Sequence, residues 1–220
     1  MQLRTIPTMA RNNGLTRPAT GRMMRICAGV VLAFGVALSA SQASAAVAVT
    51  APKLITICHG YGCAFRSKLT LGSADGARFR SIMGAGASSP KAERAAISRA
   101  VQYFEQRSLQ VIGARDKPRA DFGASHIKGQ MDCVDESTNT RALLLYLAER
   151  GLLKFHKVGR NVSRGFFVDG RYPHFTAIVI DPGGTKWVVD SWYKPTGGAP
   201  DIFPYEQWKV RGQFESGALD

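Results

Sequence analysis

Apolar residues recur along the chain in two rhythms. From Ser89-Pro90, a good N-cap followed by a proline tolerated at the first helical position, Ile97, Val101 and Phe104 fall at spacings of four and three. Glu93, Arg94, Arg99 and Arg107 occupy the other side, so this segment reads as a surface helix packed by one face. A second helix is predicted from about Cys133 to Arg150, with Leu143, Leu144, Leu147 and Ala148 as its stripe and Gly151 as its stop. Short β-type runs are predicted at 53–57, 67–71, 154–158, 165–168, 174–180 and 186–192. The run 174–180 is apolar on both faces apart from His174 and Thr176, which predicts a central strand. Asp181-Pro182-Gly183-Gly184 then turns the chain into the next one. The Gly- and Ala-rich stretch 72–88 reads as a loop with one helical turn at most, and 113–129 as a long loop of the kind that is often functional. Helices ahead of strands predict an α+β domain, with a helix packed on an antiparallel sheet.

The N-terminus does not belong to that pattern. Arg4, Arg11, Arg17, Arg22 and Arg25 precede an apolar run over 26–40, and Ala43-Ser44-Ala45 follows. A basic region, a short apolar region and a small-x-small site describe a secretory signal peptide over 1–45. The run falls short of the roughly 20 residues that span a bilayer comfortably, although an N-terminal membrane anchor is the alternative. The expected location is therefore periplasmic or secreted. The remaining chain divides into a strand and loop segment, 46–88, and a main domain, 89–220.

Charge narrows the partners. The chain carries a formal +13, and removal of 1–45 leaves 24 basic against 16 acidic residues, a net of +8. The excess is scattered and lacks interleaved aromatics, so no nucleic-acid partner is expected; an anionic envelope surface is compatible with it.

Cysteine usage then points to chemistry. After 1–45, Cys58, Cys63 and Cys133 remain. Cys58 and Cys63 flank a turn with two glycines and are disulfide candidates, which leaves Cys133 as a free thiol. The alternative of a zinc site at Cys58, His59 and Cys63 lacks a fourth ligand. Cys133 opens a helix, where N–H groups and the helix dipole favour a thiolate. His174 opens a strand and Asp190 ends the next, so a nucleophile, a base and an orienting group are available. Gln130 is a candidate oxyanion donor beside the Cys133 N–H. Three acids, Asp132, Asp135 and Glu136, crowd the cysteine and oppose ionisation of its thiol. Either a histidinium or a bound cation would have to offset them. A structural role remains open at each position: Cys133 as a buried thiol, His174 as a core histidine, the acids as ordinary residues of a helix start.

Asp132-Cys133-Val134-Asp135 heading a helix, His174 opening a strand and Asp190 closing the next resemble the transglutaminase-like, papain-fold superfamily. Within it the chain is most similar to bacterial transglutaminase-like cysteine proteinases; it also resembles an uncharacterised secreted bacterial family with a Gly-Gln-Met-Asp-Cys string. The resemblance covers roughly 90–192. It implies a papain- or transglutaminase-like core with Cys133 as nucleophile, His174 as general base and acid, and Asp190 as orienter. It also implies calcium as an ion that Asp132 and Asp135 would hold, with no cofactor required. Two departures stand out: Glu136-Ser137 where family members commonly carry an aromatic, and an insertion-like stretch over 159–172. The expected activity is a thiol hydrolase acting on peptide or isopeptide amide bonds of a protein or peptide substrate. The alternatives are transfer of the acyl group to an amine, a non-catalytic envelope binding module that keeps the fold, and a calcium-responsive interaction protein.

Overall fold

A computed structural model describes residues 52–119, 122–165 and 173–211. The expected signal peptide, and residues 166–168 of the expected strand 165–168, lie outside the described residues. Among the described residues no helix is long and apolar enough to cross a membrane.

The chain starts with an antiparallel hairpin, β1 (Lys53–His59) and β2 (Phe65–Leu71), in register from Lys53↔Leu71 to His59↔Phe65. Two helices follow, α1 (Ser73–Gly84) and α2 (Pro90–Ile112). The first of them occupies the stretch expected to be a loop. Its glycines and alanines obscure a stripe, Phe79, Ile82 and Met83, whose spacing of three and four is helical and whose side chains are buried. Asp75 holds its start by accepting the Gly72 N–H at 2.9 Å, and then takes Tyr103 Oη at 2.6 Å and Arg107 Nε at 2.7 Å from α2. In α2, Ser89 Oγ accepts the Ala92 N–H at 3.1 Å, and Gly113 closes the helix in the left-handed region at φ 80°. Glu93, expected on the solvent side, is instead buried. Its carboxylate gathers the backbone N–H groups of Lys154, Phe155 and His156 and the His156 ring at 2.7 Å.

The long loop leads through a short 3-10 turn (Phe122–Ala124) into α3 (Cys133–Glu149). Leu143, Leu144 and Leu147 are fully buried; Tyr146 is buried too, while Ala148 of the expected stripe is exposed. Four short strands follow: β3 (Lys157–Val158), β4 (Val162–Arg164), β5 (His174–Ile180) and β6 (Lys186–Val189). All pair antiparallel with β5, which is therefore the central strand. β3 and β4 follow one another along it, offset by one residue across 159–161. A last helix, α4 (Tyr205–Val210), covers β6.

The fold is thus α+β with antiparallel sheets. α3 lies between the hairpin and the larger sheet, packing on β1 and β5. One apolar core runs from Ile57 and Leu71 through Phe79, Ile97 and Phe104 to Leu143, Ala177 and Val189. The helix that carries Cys133 is clamped from both sides by this core.

Candidate active site

Asp132 precedes α3 with extended backbone and caps it, Oδ1 accepting the Asp135 N–H at 2.9 Å. Cys133 is the first residue of that helix and is 6% exposed. Its Sγ lies 4.0 Å from the Pro173 carbonyl and meets the Phe175 backbone N–H. These are the two residues on either side of His174, so the sulfur is lodged against the start of β5. Burial pushes the Cys133 thiol up to about 12, helped by Asp132, Asp190 and Glu136, with the Phe175 N–H opposing. Burial and the nearby acids thus favour the neutral thiol over the thiolate.

His174 and Asp190 are brought together by the hairpin. The ladder pairs Ala177 with Val189, so one step further Asp190 stands opposite Thr176, two residues from His174 and on the same face. The residual offset is bridged by the side chains: His174 Nε2 is 2.8 Å from Asp190 Oδ2. The same oxygen accepts the Trp208 indole N–H at 2.8 Å, and Asp190 Oδ1 accepts the Trp192 backbone N–H at 3.4 Å. With Nε2–H donating to the carboxylate, Nδ1 carries the lone pair. That nitrogen is buried and, among the described residues, has no hydrogen-bond partner, the Cys133 sulfur included.

Aromatic rings box the imidazole. Trp192, Trp208 and Tyr193 have ring centroids 4.6, 5.5 and 5.7 Å from it. Trp192 and Tyr193 also pack with Cys133, and the buried Trp192 indole N–H has no partner among the described residues. Behind them, buried Arg164 donates to the carbonyls of Trp208 and Arg211 and, at 2.6 Å, to Tyr193 Oη. None of Trp192, Tyr193, Trp208 and Arg164 was singled out in the sequence. The available signal was weak: Trp192 follows Asp190 by two residues, and β4 sets Arg164 opposite His174.

The acids around the cysteine are held by backbone donors. Asp135 accepts the N–H groups of Tyr61 at 2.7 Å and Cys63 at 2.6 Å; Asp132 Oδ2 accepts that of Gly62 at 3.1 Å. All three donors come from the turn 58–63, whose ends Cys58 and Cys63 are joined by a disulfide. Cys133 is the free cysteine among the described residues. The sulfurs of Cys58 and Cys63 lie near the Asp135 carboxylate, but as a disulfide they are poor metal ligands.

Gln130 donates its side-chain amide to the Arg115 carbonyl at 3.0 Å, and its own carbonyl accepts the Gly60 N–H at 2.6 Å. His59 takes the Gly129 N–H on Nδ1 at 3.2 Å and bonds Ser67 Oγ through Nε2 at 3.0 Å. Both residues fasten the loop ahead of Cys133 to the hairpin.

A cavity of about 20 Å³, roughly one water in size, lies behind α3 among Glu105, Glu136, Thr140, Ser191 and Thr196. Burial raises Glu105 to about 8 and nearby Asp116 to about 7, and raises Glu136 as well. Among the described residues Asp116 Oδ2 and Glu136 Oε2 are buried without a hydrogen-bond partner.

No family model, no curated protein and no solved structure matches the chain.

Proposed function

We propose that the protein is a thiol hydrolase that cleaves peptide or isopeptide amide bonds, built on a papain- or transglutaminase-like core. The observation that carries this reading is the state of His174. One ring nitrogen is committed to Asp190, while the other is buried, unpartnered and on a residue whose flanking backbone cradles the Cys133 sulfur. Most buried polar side-chain atoms are hydrogen-bonded, so an unpaired imidazole nitrogen beside a buried thiol favours a reactive over a structural role.

In this reading the neutral Cys133 thiol gives its proton to His174 Nδ1 as sulfur attacks the amide carbonyl. Asp190 stabilises the imidazolium that forms. The Cys133 N–H and the unpartnered Trp192 indole N–H are the donors for the oxyanion, because the Gln130 amide is committed to Arg115. Nδ1–H then protonates the leaving amine, the C–N bond breaks and a thioester remains. Water gives a proton to Nδ1, attacks the thioester, and the thiol is released. An amine in place of water gives the transfer variant. Calcium is not needed for any of these steps, and a secreted or periplasmic setting suits the disulfide.

The test is alkylation of Cys133 across pH, followed at its own peptide, in the parent and in His174→Ala. A slower reaction in the variant is expected. Equal rates would remove the activated nucleophile and leave a binding module as the better reading.

A further inference from the structure

We propose that the disulfide-closed turn 58–63 is the positioning element of the nucleophile, so that one site requires both a reduced thiol and an oxidised disulfide. The inference rests on the thiol-hydrolase reading and extends it to a second pair of cysteines.

The turn reaches α3 through two sets of contacts and the loop ahead of it through a third. Three consecutive N–H groups, of Tyr61, Gly62 and Cys63, donate into the two carboxylates that bracket Cys133. Asn139, two turns along the same helix, accepts the Cys58 N–H and donates to the Cys58 carbonyl, each at 2.8 Å. The Gly60 N–H reaches the Gln130 carbonyl, and the Gly60 carbonyl accepts the His126 N–H at 3.1 Å. The first turn of α3 is therefore held by the hairpin as well as by its own Asp132 cap.

The backbone that makes this possible is unusual. Gly60, Tyr61, Gly62 and Cys63 all have positive φ, from 59° to 87°. A run of left-handed residues turns successive N–H groups inward to form an anion-binding concavity. For Tyr61 and Cys63 that conformation is strained, so it persists only where the surroundings enforce it. The disulfide enforces it here by closing the turn at both ends.

Reduction by a dithiol reverses this. The reductant gives two electrons and two protons and becomes a disulfide, while Cys58 and Cys63 become thiols. Tyr61 and Cys63 are then free to leave the left-handed region, and their N–H groups leave the carboxylates. Asp132 and Asp135 lose the donors that offset their charge beside a buried sulfur. In this scheme the site is silenced by a reductant strong enough to open its turn. Asp132, Asp135 and Asn139 are positioning residues in this scheme, acting through Cys133.

The experiment uses the full chain and follows iodoacetamide alkylation at the Cys133 peptide by mass spectrometry from pH 6 to 9. The parent is compared with His174→Ala, with Cys58→Ala/Cys63→Ala and with Asn139→Ala, after thermal melting has shown which variants are folded at the assay temperature. The double variant and Asn139→Ala should alkylate more slowly at neutral pH, by about tenfold for each unit the profile moves upward. Asn139→Ala keeps the disulfide and both acids, so it decides the matter if the double variant does not fold. A parental or faster rate in the folded variants, with His174→Ala slow, overturns the positioning role and leaves the hydrolase reading standing. Parental rates in His174→Ala overturn both.

Discussion

Trp208 donates its indole N–H to the same Asp190 oxygen that holds His174, both at 2.8 Å. The indole is fully buried and its ring lies 5.5 Å from the imidazole, so one side chain both holds the carboxylate and walls the imidazole. Trp208→Phe keeps the wall and removes the donor. The change should slow Cys133 alkylation and any amidase activity, while the missing hydrogen bond and lost volume cost about 1–3 kcal/mol of stability. Parallel pH–rate profiles of Trp208→Phe and Asp190→Asn would show that both act through the same imidazole. An unchanged profile in the tryptophan variant would reduce it to packing.

Stability should fall as the solution becomes alkaline. Glu105, Asp116 and Asp135 are raised to about 8, 7 and 6, each chiefly by burial. A group raised above its unfolded value of roughly 4 contributes stability that is complete below that pH and is lost as pH climbs through the folded value. Asp75 acts in the opposite sense: burial pushes it up, but Arg107 and Tyr103 outweigh burial and hold it down. Its contribution is lost as pH falls through its lowered value, below about 4. Thermal melting should therefore peak in mild acid and decline from about pH 6 to 8, and Glu105→Gln should flatten the upper part of that decline. A level melting temperature between pH 5 and 9 would contradict the buried-acid assignment.

Gly129 should not tolerate a side chain. It sits at φ 88°, and a Cβ there would approach the Ala114 Cβ to 2.5 Å and the Ala114 carbonyl to 3.2 Å. Gly129→Ala carries both a left-handed penalty and a clash with the loop that ends at Cys133, together about 2 kcal/mol or more. Denaturant melts should register the loss. The slowing of Cys133 alkylation should exceed that of an equally destabilising change in α2, such as Val101→Ala.

Calcium removal should leave the site unchanged. Both oxygens of Asp132 and both of Asp135 already accept backbone N–H groups within 3.1 Å. A cation would have to displace donors that the disulfide turn holds in place. Melting and alkylation with a chelator, then with millimolar calcium, should coincide. A clear stabilisation by calcium would mean that the turn yields to the ion.

The longer amphipathic elements were legible in the sequence because periodicity and end signals agreed. Ser89-Pro90 and Gly113 bracket α2, and Asp132 caps α3. α1 was hidden because a Gly- and Ala-rich composition outweighed a three-residue stripe. Glu93 was placed on the wrong side because charge alone does not reveal a distant backbone, at 154–156, in need of an acceptor. The hairpin turn fixed neither register nor reach: Asp190 stands diagonal to His174, and side-chain length makes up the difference. The acids flanking Cys133 looked like an uncompensated charge problem because backbone N–H groups leave no mark in a sequence. Only the positive φ values of Tyr61 and Cys63 reveal their counterpart.

Trp208 and Arg211 belong to the last described stretch, after every other part of the site has been laid down. A chain that has emerged only as far as Phe203 contains Cys133, His174 and Asp190 yet lacks the indole on Asp190 and the Arg211 carbonyl that anchors Arg164. The surroundings of the His174–Asp190 pair are therefore completed by the last of the described segments.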